Sequence, residues 1–146
     1  NLPDNVHLVL VGEGNYSIPK SDRIHVIPTV SKEELPMIYS MCDVFCTPSL
    51  PTWYWEEQFS RSLLEAMACE LVCIASNVGG NPTAIEDRND GFLIEPHDHM
   101  GIVSIINNII DKKELRESIG RSARLKVLNN YSDNVISNKI ALIGDN

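Results

Sequence analysis

With 146 residues the chain is sized for one domain or part of one, and a complete two-domain enzyme is excluded. Twelve Lys and Arg against 20 Asp and Glu leave a formal charge of -8, the wrong sign for a nucleic-acid partner. At 43% hydrophobic and 22% charged residues, the composition supports a packed core and excludes wholesale disorder.

In chain order, the first predicted element is a buried-type strand over residues 7–11, ending in Val11-Gly12-Glu13-Gly14. A Gly-x-Gly after a strand begins a dinucleotide fingerprint. Here the third glycine is missing and residues 15–22 lack a helical pattern, so a tight turn is the stronger reading. Gly12 and Gly14 remain candidate nucleotide contacts. A second strand is predicted over 24–27. Ser31-Lys32-Glu33-Glu34 then has the capping-box pattern, with Leu35, Ile38, Tyr39 and Cys42 at helical spacing and Pro36 early enough to be tolerated. That helix is predicted to end near Met41.

A strand over 44–47 follows, and a helix over 60–69 with Leu63, Leu64, Met67 and Ala68 as its buried stripe. Strands are predicted over 71–75 and 91–94. Beyond Pro96 the pattern is helical: a cap at Asp98 before Ile102, Ile105, Ile106 and Ile109, a charged helix over 112–129, and a last short helix from Ser132 through Ile136 and Ile140. Short apolar strands alternating with helices imply an α/β fold with a mostly parallel sheet covered on both faces.

No apolar run reaches the ~20 residues of a membrane span, and no basic region followed by an apolar stretch opens the chain, so a soluble, cytoplasmic protein is expected. The first residue is Asn1 rather than Met, which reads as a processed product or an excised piece. Cys42, Cys46, Cys69 and Cys73 form two Cys-x3-Cys pairs. Cys46 and Cys73 fall inside predicted strands, so buried free thiols are favoured over a zinc site or disulfides. His7, His25, His97 and His99 are scattered and support neither a triad nor a metal site.

In an open parallel sheet, ligands bind beyond the carboxyl ends of the strands. Thr47-Pro48-Ser49-Leu50 ends a strand, a loop passes through Trp53-Tyr54-Trp55, and a helix begins after Glu56-Glu57-Gln58-Phe59-Ser60-Arg61. The unpaired N–H groups of Phe59, Ser60 and Arg61, aided by the helix dipole, suit a diphosphate. Glu65, a turn or more inside that helix, can accept two hydrogen bonds from a vicinal diol such as a ribose. Spacing alone favours a plainer reading, with Arg61 and Glu65 as a solvated pair four residues apart and Glu56 and Glu57 as ordinary acids near a helix N-terminus. Trp53, Tyr54 and Trp55 suit either stacking on a sugar ring or packing over the sheet end.

The plainer reading is overturned by resemblance. Asp43-Val44-Phe45-Cys46-Thr47-Pro48-Ser49, Glu57 with seven residues to Glu65, Ala66-Met67-Ala68-Cys69, Ala75-Ser76-Asn77-Val78-Gly79-Gly80-Asn81-Pro82 and Asn89-Asp90-Gly91-Phe92-Leu93-Ile94 resemble, in order and spacing, the donor-binding half of the retaining GT-B glycosyltransferases of glycosyltransferase family 4. The resemblance implies a Rossmann-like three-layer domain, the C-terminal half of a GT-B fold, with about five mostly parallel strands and a helical C-terminal region, spanning 1–146. By position it implies that Glu65 holds the ribose hydroxyls of a nucleotide sugar and that Glu57 contacts the transferred sugar near its reacting end. Phe59 and Ser60 would offer N–H groups to the sugar and distal phosphate, and Val30 would bond the base through the main chain. It implies glycosyl transfer with retention from a UDP or GDP type donor to a saccharide or lipid-linked acceptor, with no metal and no other cofactor. Charge stabilisation by preorganised donors would supply most of the rate. Location would be cytoplasmic, or peripheral to the inner membrane for the complete protein.

Three residues depart from that pattern. Ser60 stands where the family usually has Gly, putting a side chain at the closest approach to the ligand. Glu70 replaces the usual Gly after the helix, which suggests a different C-terminal cap and a costlier turn. Thr83 occupies a place usually held by Glu. Family members also carry an earlier strand and helix, with an Arg and a Lys that clamp the diphosphate, and an acceptor-binding domain before that. Without them the 146 residues are expected to bind donor weakly and not to turn over, and the sheet to show a gap beside its first strand or to close to an order such as 2-1-3-4-5. The alternative function is a catalytically silent Rossmann-like module that binds a nucleotide or a protein.

Overall fold

Val72-Cys73-Ile74-Ala75-Ser76 carries no alternation of polar and apolar residues, and all five residues of the strand it forms are buried. Such a strand must be covered on both faces. In the computed structural model, which describes residues 2–14, 17–51, 60–132 and 135, it is the centre of the fold. The elements in order are β1 (Leu8–Val11), β2 (Ile24–Ile27), α1 (Leu35–Ser40), β3 (Val44–Thr47), α2 (Arg61–Ala68), β4 (Val72–Ser76), α3 (Asn81–Ala84), β5 (Phe92–Ile94), α4 (His99–Ile109) and α5 (Lys113–Asn130).

All strand pairings are parallel: β1 with β2, β3 with β4, and β4 with β5. The two faces of β4 feed two cores. Cys73 and Ala75 join Leu63, Ala66 and Met67 of α2 and Ala123 and Val127 of α5. Val72 and Ile74 join Phe92, Ile94, Ile109 and Ile119, with Ile102, Ile105 and Ile106 of α4 packed alongside. These are the three layers the sequence implies.

The sheet is divided. β1 and β2 form a pair of their own, separate from β3-β4-β5. This is the gap beside the first strand, not a closed order of 2-1-3-4-5. β1 and β2 contribute no residue to the buried core, and Leu8 and Val26 remain about half exposed. The division also corrects the reading of Cys46. That residue pairs with Ile74 across β3 and β4, but β3 is an edge strand, and Cys46 is exposed while Cys73 is buried. All four cysteines are free thiols.

The helix ends follow their local chemistry. Asp98 caps α4 by accepting from the Gly101 N–H at 2.8 Å. Ser31 and Glu34 bond as a pair ahead of α1, the Ser31 N–H donating to the Glu34 carboxylate at 2.9 Å and its hydroxyl at 2.7 Å. Glu34 is consequently held below the usual carboxylate range. The end of α2 corrects the expectation of a different cap. Leu71 N–H donates to Ala66 and Glu70 N–H to Met67, the paired bonds of a Schellman motif, with Glu70 in the left-handed conformation at φ 64°. Arg124 of α5 braces this turn, bonding the Ala68 carbonyl at 2.6 Å and lying 3.6 Å from the Glu70 carboxylate. Gly120 of α5 lies against the Glu70 carbonyl so closely that a Cβ would overlap it. The helix predicted from Ser132 through Ile136 and Ile140 falls largely outside the described residues.

Candidate functional site

β3 ends at Thr47, and α2 begins after Ser60. In a parallel sheet, helix amides are free for a ligand beyond the carboxyl ends of the strands. Ser60 has an extended backbone and is the N-cap of α2. Its buried hydroxyl accepts from the Leu63 N–H at 3.3 Å and lies 3.1 Å from the Ser62 hydroxyl. The Ser60 side chain is thus turned onto the helix as a cap. The N–H groups of Arg61 and Ser62 have no acceptor within the helix, as for any first turn, and they sit at the positive end of the α2 dipole. Arg61 is exposed beside them.

Glu65 is partly buried on the second turn of α2. The solvated Arg61–Glu65 pair that spacing alone suggests is not formed: among the described residues no ion pair joins them. The negative charge of Glu65 instead acts on the phenol of Tyr39 on α1. Tyr39 is buried, and its ring meets Phe45 edge-on with centroids 5.9 Å apart. Burial, followed by the negative Glu65 carboxylate, pushes the Tyr39 phenol up to about 12. Tyr39 lies on the buried stripe that its helical spacing predicts.

Gly12 and Gly14 lie elsewhere. Gly12 follows β1 at φ 115°, a conformation that favours glycine, and its N–H donates to the Ile27 carbonyl at 3.0 Å. With Glu13, Gly14, Ile18, Val26 and Pro28 it lines an open cleft of about 300 Å³ beyond the carboxyl ends of β1 and β2. No residue of α2 lines that cleft, and neither does Val30, which is half-buried in the segment after β2. The structure therefore groups Ser60, Arg61 and Glu65 on one helix and Gly12 with Gly14 at one turn. Glu57 and Phe59, like Trp53, Tyr54 and Trp55, lie outside the described residues.

The histidines are less scattered than the sequence suggests. His7 and His25 stack across the β1–β2 pair with ring centroids 5.2 Å apart and Nδ1 to Nε2 at 2.9 Å. Among the described residues no group of three or more His, Cys, Asp or Glu side chains is arranged to hold a metal ion. Nor is any described helix long and apolar enough to cross a membrane.

Comparison with known proteins gives this geometry a context. A family profile described as "Glycosyl transferases group 1" matches residues 1–126. Spore coat protein SA of Bacillus subtilis is 33% identical over 113 residues, which cover 77% of this chain and 29% of that protein. An Escherichia coli UDP-Gal:alpha-D-GlcNAc-diphosphoundecaprenol alpha-1,3-galactosyltransferase is 30% identical over 139 residues, 90% of this chain and 34% of that protein. The chain thus spans about a third of the length of these relatives. Among solved structures, Anabaena HepE in complex with UDP superposes with a TM-score of 0.86 over 99% of this chain and 42% of that one, at 21% identity.

Proposed function

The chain belongs to the group 1 glycosyl transferases, and from that membership we propose that it forms the donor-binding part of a retaining enzyme that moves a hexosyl group from a nucleoside-diphosphate sugar to a saccharide or lipid-linked acceptor. The observation that carries the reading is the arrangement of α2. The first-turn amides of this helix have no acceptor within it, and a partly exposed carboxylate, Glu65, stands on its second turn. The amides of Arg61 and Ser62, with those of Ser60 and Phe59, would take the distal phosphate, where charge grows as the glycosyl bond breaks. The two oxygens of Glu65 would take the ribose diol. Glu57 would contact the transferred sugar near its reacting carbon, Val30 the base through its main chain, and Gly12 and Gly14 the donor from the turn after β1.

A uridine donor is supported by the Escherichia coli relative, whose name specifies UDP-Gal, and by the UDP bound in the Anabaena structure. Neither a metal nor another cofactor is assigned, because helix amides and fixed donors can carry the leaving charge. We place the reaction in the cytoplasm, where nucleotide sugars are made. The 146 residues by themselves are expected to bind donor weakly and not to turn over. A chain of charge -8 repels a diphosphate, and the α2 terminus offers only roughly half a positive charge against it.

The test is a thermal-shift titration of the complete protein with UDP, GDP and ADP, alongside its Glu65→Ala variant. A ligand at about 100 times its Kd adds roughly 2.7 kcal/mol to stability. Stabilisation by one nucleotide, lost in Glu65→Ala, supports the reading and names the donor. Equal stabilisation of both proteins would remove Glu65 from the site.

A further inference from the structure

Parallel pairing sets which side chains of β1 and β2 share a face. Val9 lies opposite His25, and the bond from the Leu8 N–H to the Arg23 carbonyl carries the ladder one residue beyond the strands, so His7, Val9, Arg23 and His25 fall on the same side. His7 and His25 are exposed diagonal neighbours there, with His7 Nδ1 2.9 Å from His25 Nε2. One proton lies between these nitrogens, since a neutral imidazole has one donor and one acceptor. A single bond of that kind in open water contributes little to stability. Arg23, the cation of the four, is engaged elsewhere: its guanidinium bonds the Pro3 carbonyl at 3.0 Å and lies 3.9 Å from the Asp4 carboxylate. The chain as a whole carries a formal charge of -8, which favours a bound cation.

The same nitrogen spacing suits a metal ion. An imidazole nitrogen binds a transition metal at about 2.0–2.1 Å, so two of them in adjacent positions of a square-planar or octahedral ion stand about 2.9 Å apart, and about 3.4 Å apart around a tetrahedral one. We propose that His7 and His25 form a two-ligand site for a nickel or copper ion that bridges β1 and β2 on their exposed face, with water completing the coordination. For the ion to enter, the proton between the rings moves through water to the outer nitrogen of its own ring. Both rings are then neutral, each turns a free lone pair toward the ion, and no proton is released overall. The site lies toward the amino ends of the two strands, away from the turn at Gly12, and takes no part in glycosyl transfer. Its consequence is mechanical. β1 and β2 contribute no residue to the buried core, so a cross-link between them stabilises the least covered part of the sheet.

The experiment uses the complete protein, free of any affinity tag and stripped of metal with a chelator. Calorimetric titration with Ni2+ is run on the parent, His7→Asn, His25→Asn and, as a control, His99→Asn on α4. Losing a direct ligand costs at least what losing a ligand's hydrogen-bond partner costs, so affinity should fall about tenfold or more in either of the first two variants and stay unchanged in the third. Both rings are exposed, so their replacement leaves the fold intact, and the two variants test the site independently. Amide exchange gives a second readout. Saturating Ni2+ should slow the amides bonded between β1 and β2 by at least about tenfold in the parent and leave them unchanged in His7→Asn. An affinity that neither substitution alters overturns the proposal, and so does binding that leaves β1–β2 exchange at its metal-free rate.

Discussion

Glu70 occupies a backbone conformation that costs an L side chain roughly 1 kcal/mol more than glycine, and it does so inside an otherwise regular Schellman turn. What the side chain returns is a contact with Arg124 at 3.6 Å, half-exposed on both sides, and pairs of that kind contribute only about 0–1 kcal/mol. The hydrogen bond from Arg124 to the Ala68 carbonyl does not depend on Glu70. Glu70→Gly is therefore expected to stabilise the protein by about 0.5 kcal/mol, raising its melting temperature by one or two degrees. A lower midpoint in differential scanning calorimetry would show that the carboxylate holds Arg124 in place for the cap. The candidate site is legible at this scale where a residue is picked out alone. Glu65 could be singled out from its place in the helix and from motif spacing. The packing of Tyr39 against α2 could not, because that helix lies far along the chain.

At the scale of elements, α1 has six residues and no side-chain cap bond at Glu34, too little to stand without tertiary support. Ile38 and Tyr39 supply it by burial. The phenol of Tyr39 is neutral in the folded chain up to about 12, whereas an unfolded tyrosine ionises near 10. Between these values the unfolded state has released a proton that the folded state keeps. Stability from this group is thus complete below pH 10 and declines as pH rises toward 12, by about 1–2 kcal/mol. Denaturant titrations on either side of that window, compared between the parent and Tyr39→Phe, should show a shallower alkaline decline in the variant. Identical slopes would mean that Tyr39 ionises without strain. The same scale shows why some elements were legible and one was not. β2 and β3 fall on the predicted 24–27 and 44–47, each a compact apolar run. α3 has no counterpart among the predicted elements, since four residues with Pro82 at the start carry no helical period.

For the whole molecule, the division of the sheet separates two regions of very different burial. β4 is buried along its entire length between two cores, while β1 and β2 expose residues on both sides and share no buried apolar residue with the rest. The sequence predicts two similar apolar strands, at 7–11 and 71–75. Which one becomes the centre depends on the helices that cover it, and α2, α4 and α5 all cover β4. Local opening free energies range from near zero to the global value according to such coverage. Amide hydrogen exchange should therefore resolve two tiers. Amides of β4 and of the adjoining faces of α2 and α5 are expected to exchange only through global unfolding, and so to share one free energy and one response to denaturant. Amides bonded between β1 and β2 should exchange at least tenfold faster, a gap of about 1.4 kcal/mol or more, with little dependence on low denaturant concentration. Equal protection in both regions would mean that β1 and β2 fold as one cooperative unit with the larger sheet. In the expected case, saturating nucleotide tests how the regions are coupled. A ligand held by α2 alone slows exchange around α2 and β3 first, whereas one that also engages the turn at Gly12 slows β1 and β2 by the same factor, because their opening would then require its release.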